Sequence, residues 1–407
     1  MKILHLSFSD GPGGAGRAAY RLHKALGAVG VDSRMRVRLK TRDDDTVSGP
    51  AGGWERLSSW LRPQAGHALR RASSLPANPW RSYNLLPSGW LNAINRSDAD
   101  VVHLHWVGDE CLSIEDLGRI EKPLVWTFHD MWPFCGAEHV ADPGPAAPWR
   151  SGYATGPRLD AWTWRRKRRA WSRPLHIVTP SRWLGDCAAA SPLFQGRRIS
   201  VVPNPLPTLE FAPIDRKAAR HALGLAEDTQ VLLFAAHGVG VDPNKGWGLL
   251  VEALRQLAGR KDLVLAVAGE EAPPPGIDVG VALHWLGRLA DEAAMARAYS
   301  AADVTVVASR LENFPQAATE ALACGCPVAG FATTGVAETV GDARWLAAPF
   351  DAEDLGRVIG DLLNAPDAEM RRRAARERAT ALWSPEAVLP RFVEVYEQAL
   401  NGQKGAR

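Results

Sequence analysis

Two glutamates eight positions apart, Glu312 and Glu320, stand in the part of this 407-residue chain best suited to ligand chemistry. They flank Asn313-Phe314-Pro315-Gln316, where an apolar run ending at Ser309 gives way to a helical pattern through Ala323. Pro315 suits the first helical turn, because its missing N–H would have no partner there. The amides of Asn313, Phe314 and Gln316 then gather near a helix N-terminus, where N–H groups and the positive end of the macrodipole attract phosphate. Glu312 precedes that helix and Glu320 lies on its second turn. The two carboxylates therefore address different ends of one extended ligand rather than each other.

Other residues able to do chemistry also follow apolar runs. Asp10-Gly11-Pro12-Gly13-Gly14-Ala15-Gly16-Arg17 is a glycine-rich loop leading into a helix. A dinucleotide reading has to be considered for it, but the G-x-G-x-x-G frame is not cleanly met. His103 and His105 alternate beside Trp106, and His129-Asp130 with Trp132 closes another apolar run. The histidines read equally as buried core, and the tryptophans either stack on sugars or fill core. Arg165, Arg166, Lys167, Arg168 and Arg169 form a basic run flanked by Trp162, Trp164 and Trp171. Such a run is either a solvated helix face or a contact for an anionic surface. No reader motif accompanies it, so nucleic acid is not expected.

The elements that must carry these residues alternate between short apolar runs and amphipathic stretches, the pattern of a parallel sheet covered by helices. Strands are expected at 2–8, 34–40, 100–107, 124–129, 176–179 and 199–202. A second set follows at 231–237, 263–269, 282–286, 304–309, 327–331 and 344–347. Two sets of similar size imply two doubly wound domains in tandem. The boundary falls at Val202-Pro203-Asn204-Pro205-Leu206-Pro207, giving domains at 1–205 and 206–384. A last helix over 385–407 is expected to pack back on the first domain through Val388, Leu389, Phe392, Val393 and Tyr396. Open α/β sheets bind ligands at the carboxyl ends of their strands, so an interdomain cleft lined by these loops is the expected site.

Glu312 through Glu320 reproduces the E-x7-E signature of the retaining glycosyltransferases of family 4, which have the α/β GT-B fold of two Rossmann-like domains. The context resembles that family throughout: Ser309-Arg310-Leu311-Glu312-Asn313-Phe314-Pro315, then Glu320-Ala321-Leu322-Ala323-Cys324-Gly325-Cys326-Pro327-Val328. The resemblance implies that Glu320 bonds the ribose of a nucleoside-diphosphate sugar and that Glu312 contacts its sugar. The amides of Asn313 and Phe314 would face the sugar and pyrophosphate. Lys245, in Asp242-Pro243-Asn244-Lys245-Gly246, matches the family's Lys-Gly position and would stabilise the departing phosphate. His237 and Gly238 stand where the family usually carries an arginine. Gly13, Gly14 and Arg17 match its phosphate-approaching loop. The stretch Thr127 to Phe134, with Trp164-Arg165-Arg166-Lys167 and Thr179 to Leu184, resembles an exopolysaccharide or colanic-acid subgroup. There His129 would contact the donor sugar or acceptor, with His103, His105, Trp106, Asp130 and Trp132 on the acceptor side. Transfer to a hydroxyl of a glycan or lipid-linked saccharide is implied. A sugar-nucleotide epimerase and a non-catalytic nucleotide- or glycan-binding homologue are the competing readings.

The whole chain is compatible with this. Hydrophobic content of 46% with 23% charge and a net charge of +3 is that of a globular protein with no demand for a polyanion. Five cysteines make no disulfide framework in a chain of this length, and Cys324 and Cys326 read as small packing residues. Asp43-Asp44-Asp45 and Asp98-Ala99-Asp100 read as a solvated loop and a strand lead-in, so neither a metal nor a cofactor is expected. The first residues carry too short an apolar run for a signal peptide, and no stretch reaches the roughly 20 apolar residues of a membrane span. A cytoplasmic protein is expected, with peripheral contact at the inner face of the plasma membrane through Arg165–Arg169.

Overall fold

The structure, a computed structural model, describes residues 1–73, 75–269 and 278–404, with side chains to residue 402 in the last helix. The end of the expected third segment, 405–407, lies outside the described residues. The chain divides into two compact units, Met1–Pro205 with Val388–Arg407, and Leu206–Ala387.

Unit 1 runs β1 (Lys2–Ser9), α1 (Gly13–Ala28), β2 (Asp32–Leu39), β3 (Val47–Ser48), α2 (Gly53–Ala72), α3 (Leu91–Arg96), β4 (Val101–Leu104), α4 (Ile114–Gly118), β5 (Leu124–Thr127), α5 (Arg158–Ala170), β6 (His176–Thr179), α6 (Arg182–Ala190) and β7 (Ile199–Val201). Its seven strands are ordered β3-β2-β1-β4-β5-β6-β7, every pair parallel. β4, β5 and β6 are buried at every position. Strands buried on both faces are written as unbroken apolar runs rather than alternating ones, which is why they stand out in the sequence.

Unit 2 runs α7 (Arg216–Ala222), β8 (Gln230–Ala235), α8 (Trp247–Leu254), β9 (Leu263–Ala268), β10 (Ala282–Gly287), α9 (Glu292–Ala301), β11 (Val304–Val307), α10 (Gln316–Ala323), β12 (Val328–Phe331), α11 (Thr334–Val340), β13 (Leu346–Ala347), α12 (Ala352–Asn364) and α13 (Ala368–Trp383). The six strands are ordered β10-β9-β8-β11-β12-β13, again all parallel. α12 shows how the covering helices are specified. Asp351 caps it by accepting from the amide of Asp354, and Leu355, Val358, Ile359, Leu362 and Leu363 form its buried stripe.

The last helix, α14 (Pro385–Lys404), lays Val388, Leu389, Phe392, Val395 and Tyr396 against Ile3, Leu22, Leu26, Val101, Val125 and Val178 of unit 1. Val395 is buried where the sequence reading chose Val393, which is only half-buried. In both sheets the chain winds outward, then returns beside its first strand, β4 next to β1 and β11 next to β8. Each unit therefore has a topological switch point, where the loops leaving two central strands diverge and leave a crevice.

Candidate functional site at the switch points

In unit 2 the switch point brings together two loops 67 residues apart. Lys245 Nζ donates to Glu312 Oε1 at 2.7 Å, and both side chains are partly exposed. The loops are stitched by Asn244. Its side chain donates to Leu311 O at 2.9 Å and accepts from Leu311 N at 3.0 Å, and its carbonyl accepts from Arg310 N at 2.8 Å. Asp242 closes the turn by accepting from Asn244 N. Gly246 is left-handed at φ +69°, and a Cβ there would lie 1.9 Å from Ala308 O. Only glycine lets the lysine loop come this close to the end of β11.

The other side of the glutamate loop rests on the turn that opens α11. Gly335 N donates to Glu312 O at 2.8 Å, Glu312 N donates to Thr334 Oγ1 at 3.3 Å, and a Cβ on Gly335 would meet Asn313 O at 1.6 Å. Sequence reading missed this support; the glycine following Thr333-Thr334 after an apolar strand was its signal. Pro315 is the N-cap of α10, one residue earlier than the expected place in its first turn. The Phe314 ring sits edge-on to Trp383 at 5.8 Å, so this residue has its backbone, not its ring, to offer a ligand. Asn313 is buried. Glu320 is buried on α10, where Tyr299, another residue the sequence did not single out, donates its hydroxyl to Oε2 at 3.1 Å. His237 is exposed in the loop leaving β8.

In unit 1, Gly13 and Gly14 are exposed at the N-terminus of α1, and Gly13 is left-handed at φ +81°. Gly16 sets α1 against β1, since a Cβ there would lie 2.5 Å from Ser9 Oγ. Arg17 Nε is buried with no hydrogen-bond partner among the described residues. An orphaned cationic donor next to exposed glycine amides suits an anion.

The β1–β4 register pairs His5 with His103 and builds a histidine network beneath the switch point. His5 Nδ1 lies 2.9 Å from His105 Nε2, and His105 Nδ1 lies 3.1 Å from His129 Nε2. His103 is held by Tyr396 of α14 at 2.9 Å and by Thr127 at 2.8 Å. Burial pushes the pKa of His129 down to about 4, against a smaller upward pull from Asp130. It drives His5, His103 and His105 well below the ordinary range. All four are neutral at pH ~7. His5, His103 and His105 also form a group whose potential ligand atoms lie within 4.8 Å of one another. Both nitrogens of His103 and of His105 are already engaged by the partners just named, which favours a hydrogen-bond network over metal ligation.

Several acceptor-side expectations meet buried side chains. His103, His105 and Trp132 are at most 2% exposed, and Trp132 Nε1 donates to Ser82 O, so all three belong to the core in this structure. Asp130 Oδ2 accepts from His139 Nδ1 at 2.6 Å and Trp106 Nε1 at 2.7 Å, and Oδ1 accepts from Trp132 N. Burial raises the Asp130 pKa, and its bonds to His139 and these neighbours more than offset that, leaving a carboxylate below its usual range. Trp106 is half-buried. The basic run on α5 is divided. Lys167 is fully buried over the Trp132 ring and donates to the carbonyls of Trp132, Cys135 and Gly136. Arg166 is bound to Glu115 and to the carbonyls of Tyr83 and Asn84. Arg165, Arg168 and Arg169 remain exposed.

Comparison with known proteins identifies relatives for both units. Residues 12–208 match the model of Glycosyltransferase Family 4, and residues 215–380 match that of Glycosyl transferases group 1. A D-inositol 3-phosphate glycosyltransferase 2 of Catenulispora acidiphila is 33% identical over 232 residues, 52% of this chain and 53% of the relative. An MMP alpha-(1->4)-mannosyltransferase of Mycolicibacterium hassiacum is 27% identical, over 75% of this chain and 72% of its own. The chain thus spans about half the length of the first of these relatives. Among solved structures, sucrose-phosphate synthase of Thermosynechococcus elongatus superposes with a TM-score of 0.66 at 19% identity, over 99% of this chain and 100% of that one. Anabaena HepE in complex with UDP and glucose gives 0.64 at 16% identity, over 98% and 99%. These two likenesses show the fold, two Rossmann-like domains of the GT-B type. The family 4 model matches the first unit and the group 1 model the second, together most of the chain, and both models describe glycosyltransferases.

Proposed function

We propose that the chain transfers a sugar from a nucleoside-diphosphate sugar to a hydroxyl of a glycan or lipid-linked saccharide, with retained anomeric configuration, in the building of a bacterial surface polysaccharide. The Lys245–Glu312 pair at the β8–β11 switch point carries this reading. Donor binding exchanges that pair: the sugar hydroxyls donate to Glu312, and the ammonium of Lys245 turns to the phosphate oxygen that gains charge as the glycosidic bond breaks. Glu320, fixed by Tyr299, accepts from the ribose. The amides of Asn313 and Phe314 face the sugar and pyrophosphate, and His237 takes the place of the family's arginine.

In unit 1, Gly13, Gly14 and Arg17 are assigned to phosphate, and His129 to the sugar or acceptor near the anomeric carbon. The acceptor oxygen attacks from the leaving-group face, and the departing phosphate oxygen takes its proton, so the enzyme chiefly aligns the partners. No metal or other cofactor enters this scheme. The work is assigned to the cytoplasm. The HepE complex with UDP and glucose supports a nucleotide-sugar donor, and the D-inositol 3-phosphate glycosyltransferase name of a curated relative supports a hydroxyl acceptor.

A thermal-shift screen with UDP, GDP, ADP and dTDP sugars tests the donor half, since a ligand of the native state raises the melting point. One saturable shift identifies the base. If no nucleotide sugar shifts the protein, the assignment fails. Product analysis with that donor separates transfer from epimerisation and from binding without turnover.

A further inference from the structure

The 20-residue helix α2 (Gly53–Ala72) is amphipathic with its faces reversed. Trp54 is 79% exposed, Leu57 47%, Trp60 64% and Leu61 45%. Ala65, Ala68 and Ala72 continue the same outward stripe at helical spacing. The inward face is the polar one. Glu55 accepts from Arg36 at 3.1 Å. Arg62, the buried residue of the helix, donates to Glu110 O, Pro87 O and Leu86 O at 2.5–2.8 Å. A helix clamped by buried polar bonds while presenting two tryptophans and two leucines to solvent has its apolar face prepared for something outside the chain.

The charges around the stripe say what that is. Arg56, Gln64 and Arg71 are its exposed polar members, and the helix's one acid, Glu55, is turned inward to Arg36. Beside it lies a cavity of about 870 Å³ whose lining includes Arg38, Lys40, Arg42, Arg56 and Trp60, with Asp43 as its acid. A second copy meeting this face by two-fold symmetry would set cation against cation. A bilayer rich in anionic phosphate headgroups meets every feature at once. Tryptophan favours the headgroup level, leucine the acyl boundary below it, and arginine the phosphates.

We propose that α2 is an interfacial helix that lies on an anionic lipid surface, with Trp54, Leu57, Trp60 and Leu61 in the headgroup–acyl boundary and the neighbouring cation-lined cavity receiving a lipid phosphate. The inference goes beyond glycosyl transfer and does not rest on it. It also moves the membrane contact away from α5, where Arg166 and Lys167 are committed to Glu115 and protein carbonyls and Arg165, Arg168 and Arg169 are left exposed without an apolar stripe like that of α2.

The test is sedimentation of the full chain with phosphatidylcholine vesicles and with mixed phosphatidylcholine–phosphatidylglycerol vesicles. Binding is expected to the mixed vesicles alone and to weaken with salt. Trp54→Ser/Trp60→Ser should lower it by about tenfold or more with an unchanged melting point, because both rings are exposed. Arg56→Gln/Arg71→Gln should lower it several-fold, while Arg165→Gln/Arg168→Gln/Arg169→Gln should leave it intact. No binding to the mixed vesicles overturns the proposal, as does binding that survives the tryptophan changes. Release by inorganic phosphate at constant ionic strength would assign the cavity to a soluble phosphate instead. Wild-type dimers that the double tryptophan variant loses, without vesicle binding, would assign the stripe to a second copy.

Discussion

Lys245 Nζ lies 2.7 Å from Glu312 Oε1, each on a loop leaving a different central strand of the second sheet. Both side chains keep access to solvent, so the pair contributes little to stability, within about 1 kcal/mol. Its value is positional, because each group holds the other where a charged ligand will replace it. Glu312→Gln and Lys245→Met should therefore move the melting point by only a few degrees. Each should lower turnover by about 100-fold or more, as removal of one charge-stabilising group does elsewhere. Wild-type turnover in either variant would remove the pair from the mechanism.

Gly335 presses against the backbone of the glutamate loop, and a Cβ there would stand 1.6 Å from Asn313 O. Backbone on backbone has no flexible end to yield. Gly335→Ala should displace Glu312 and Asn313 and cost roughly 2 kcal/mol or more, the scale of overpacking. The thermal shift given by the donor should shrink further than the loss of stability alone explains. Retained donor affinity in a folded Gly335→Ala protein would show that this turn does not set the loop.

How much of this the sequence carries depends on the range of each interaction. The strands read well because β9, and β8 over its central positions, are buried on both faces and spelled as continuous apolar runs. Glu312 and Glu320 were legible because one loop and one helix hold both. The ion pair was not, since Lys245 is 67 residues away and only sheet order brings it close. His5 escaped notice for the same reason, as its partner His103 is set by strand register. α2 misleads differently. Its periodic apolar residues are those of a core-facing helix, and only the carbonyls of Leu86, Pro87 and Glu110 waiting for Arg62 turn it around.

Transfer should continue in excess chelator. The proposed charge stabilisation is supplied by Lys245 and helix-terminal amides, and in the buried histidine group both nitrogens of His103 and of His105 are engaged, by Tyr396, Thr127, His5 and His129. Dialysis against EDTA followed by assay with and without added Mg²⁺ or Mn²⁺ checks this. Activity lost in chelator and restored by either ion would overturn the metal-free scheme.

His23 stands between Ser33 Oγ at 2.7 Å and Thr46 Oγ1 at 2.8 Å. Burial pushes its pKa down to about 4, with Asp44 pulling weakly upward and Lys24 downward. Its unfolded value near 6.5 is higher, so between about pH 6.5 and pH 4 the unfolded chain binds more protons. Stability is therefore lost as pH falls through that window, on the order of 1–2 kcal/mol from this group by about pH 5. Urea melts of wild type and His23→Gln across the window isolate the contribution. The variant should show the shallower pH slope, and equal slopes would mean that His23 does not titrate as its burial requires.

The tautomers of His5, His105 and His129 are coupled. Each neutral imidazole carries one N–H, and the contacts at 2.9 and 3.1 Å each need one donor and one acceptor. The chain therefore runs wholly one way or wholly the other. His5 Nε2 is buried with no hydrogen-bond partner among the described residues. An orphaned acceptor is tolerated in a core more readily than an orphaned N–H, so His5 Nε2 should be the bare nitrogen. His5 then donates to His105, His105 donates to His129 Nε2, and the proton of His129 is placed on Nδ1. Nitrogen-15 spectra of histidine-labelled protein should show His129 as the Nδ1–H tautomer at neutral pH. His5→Phe removes the donor at the head of the chain and should redistribute the tautomers of both His105 and His129. A wild-type His129 found as the Nε2–H form would reverse the direction of the chain, and with it the group that His129 offers to a sugar.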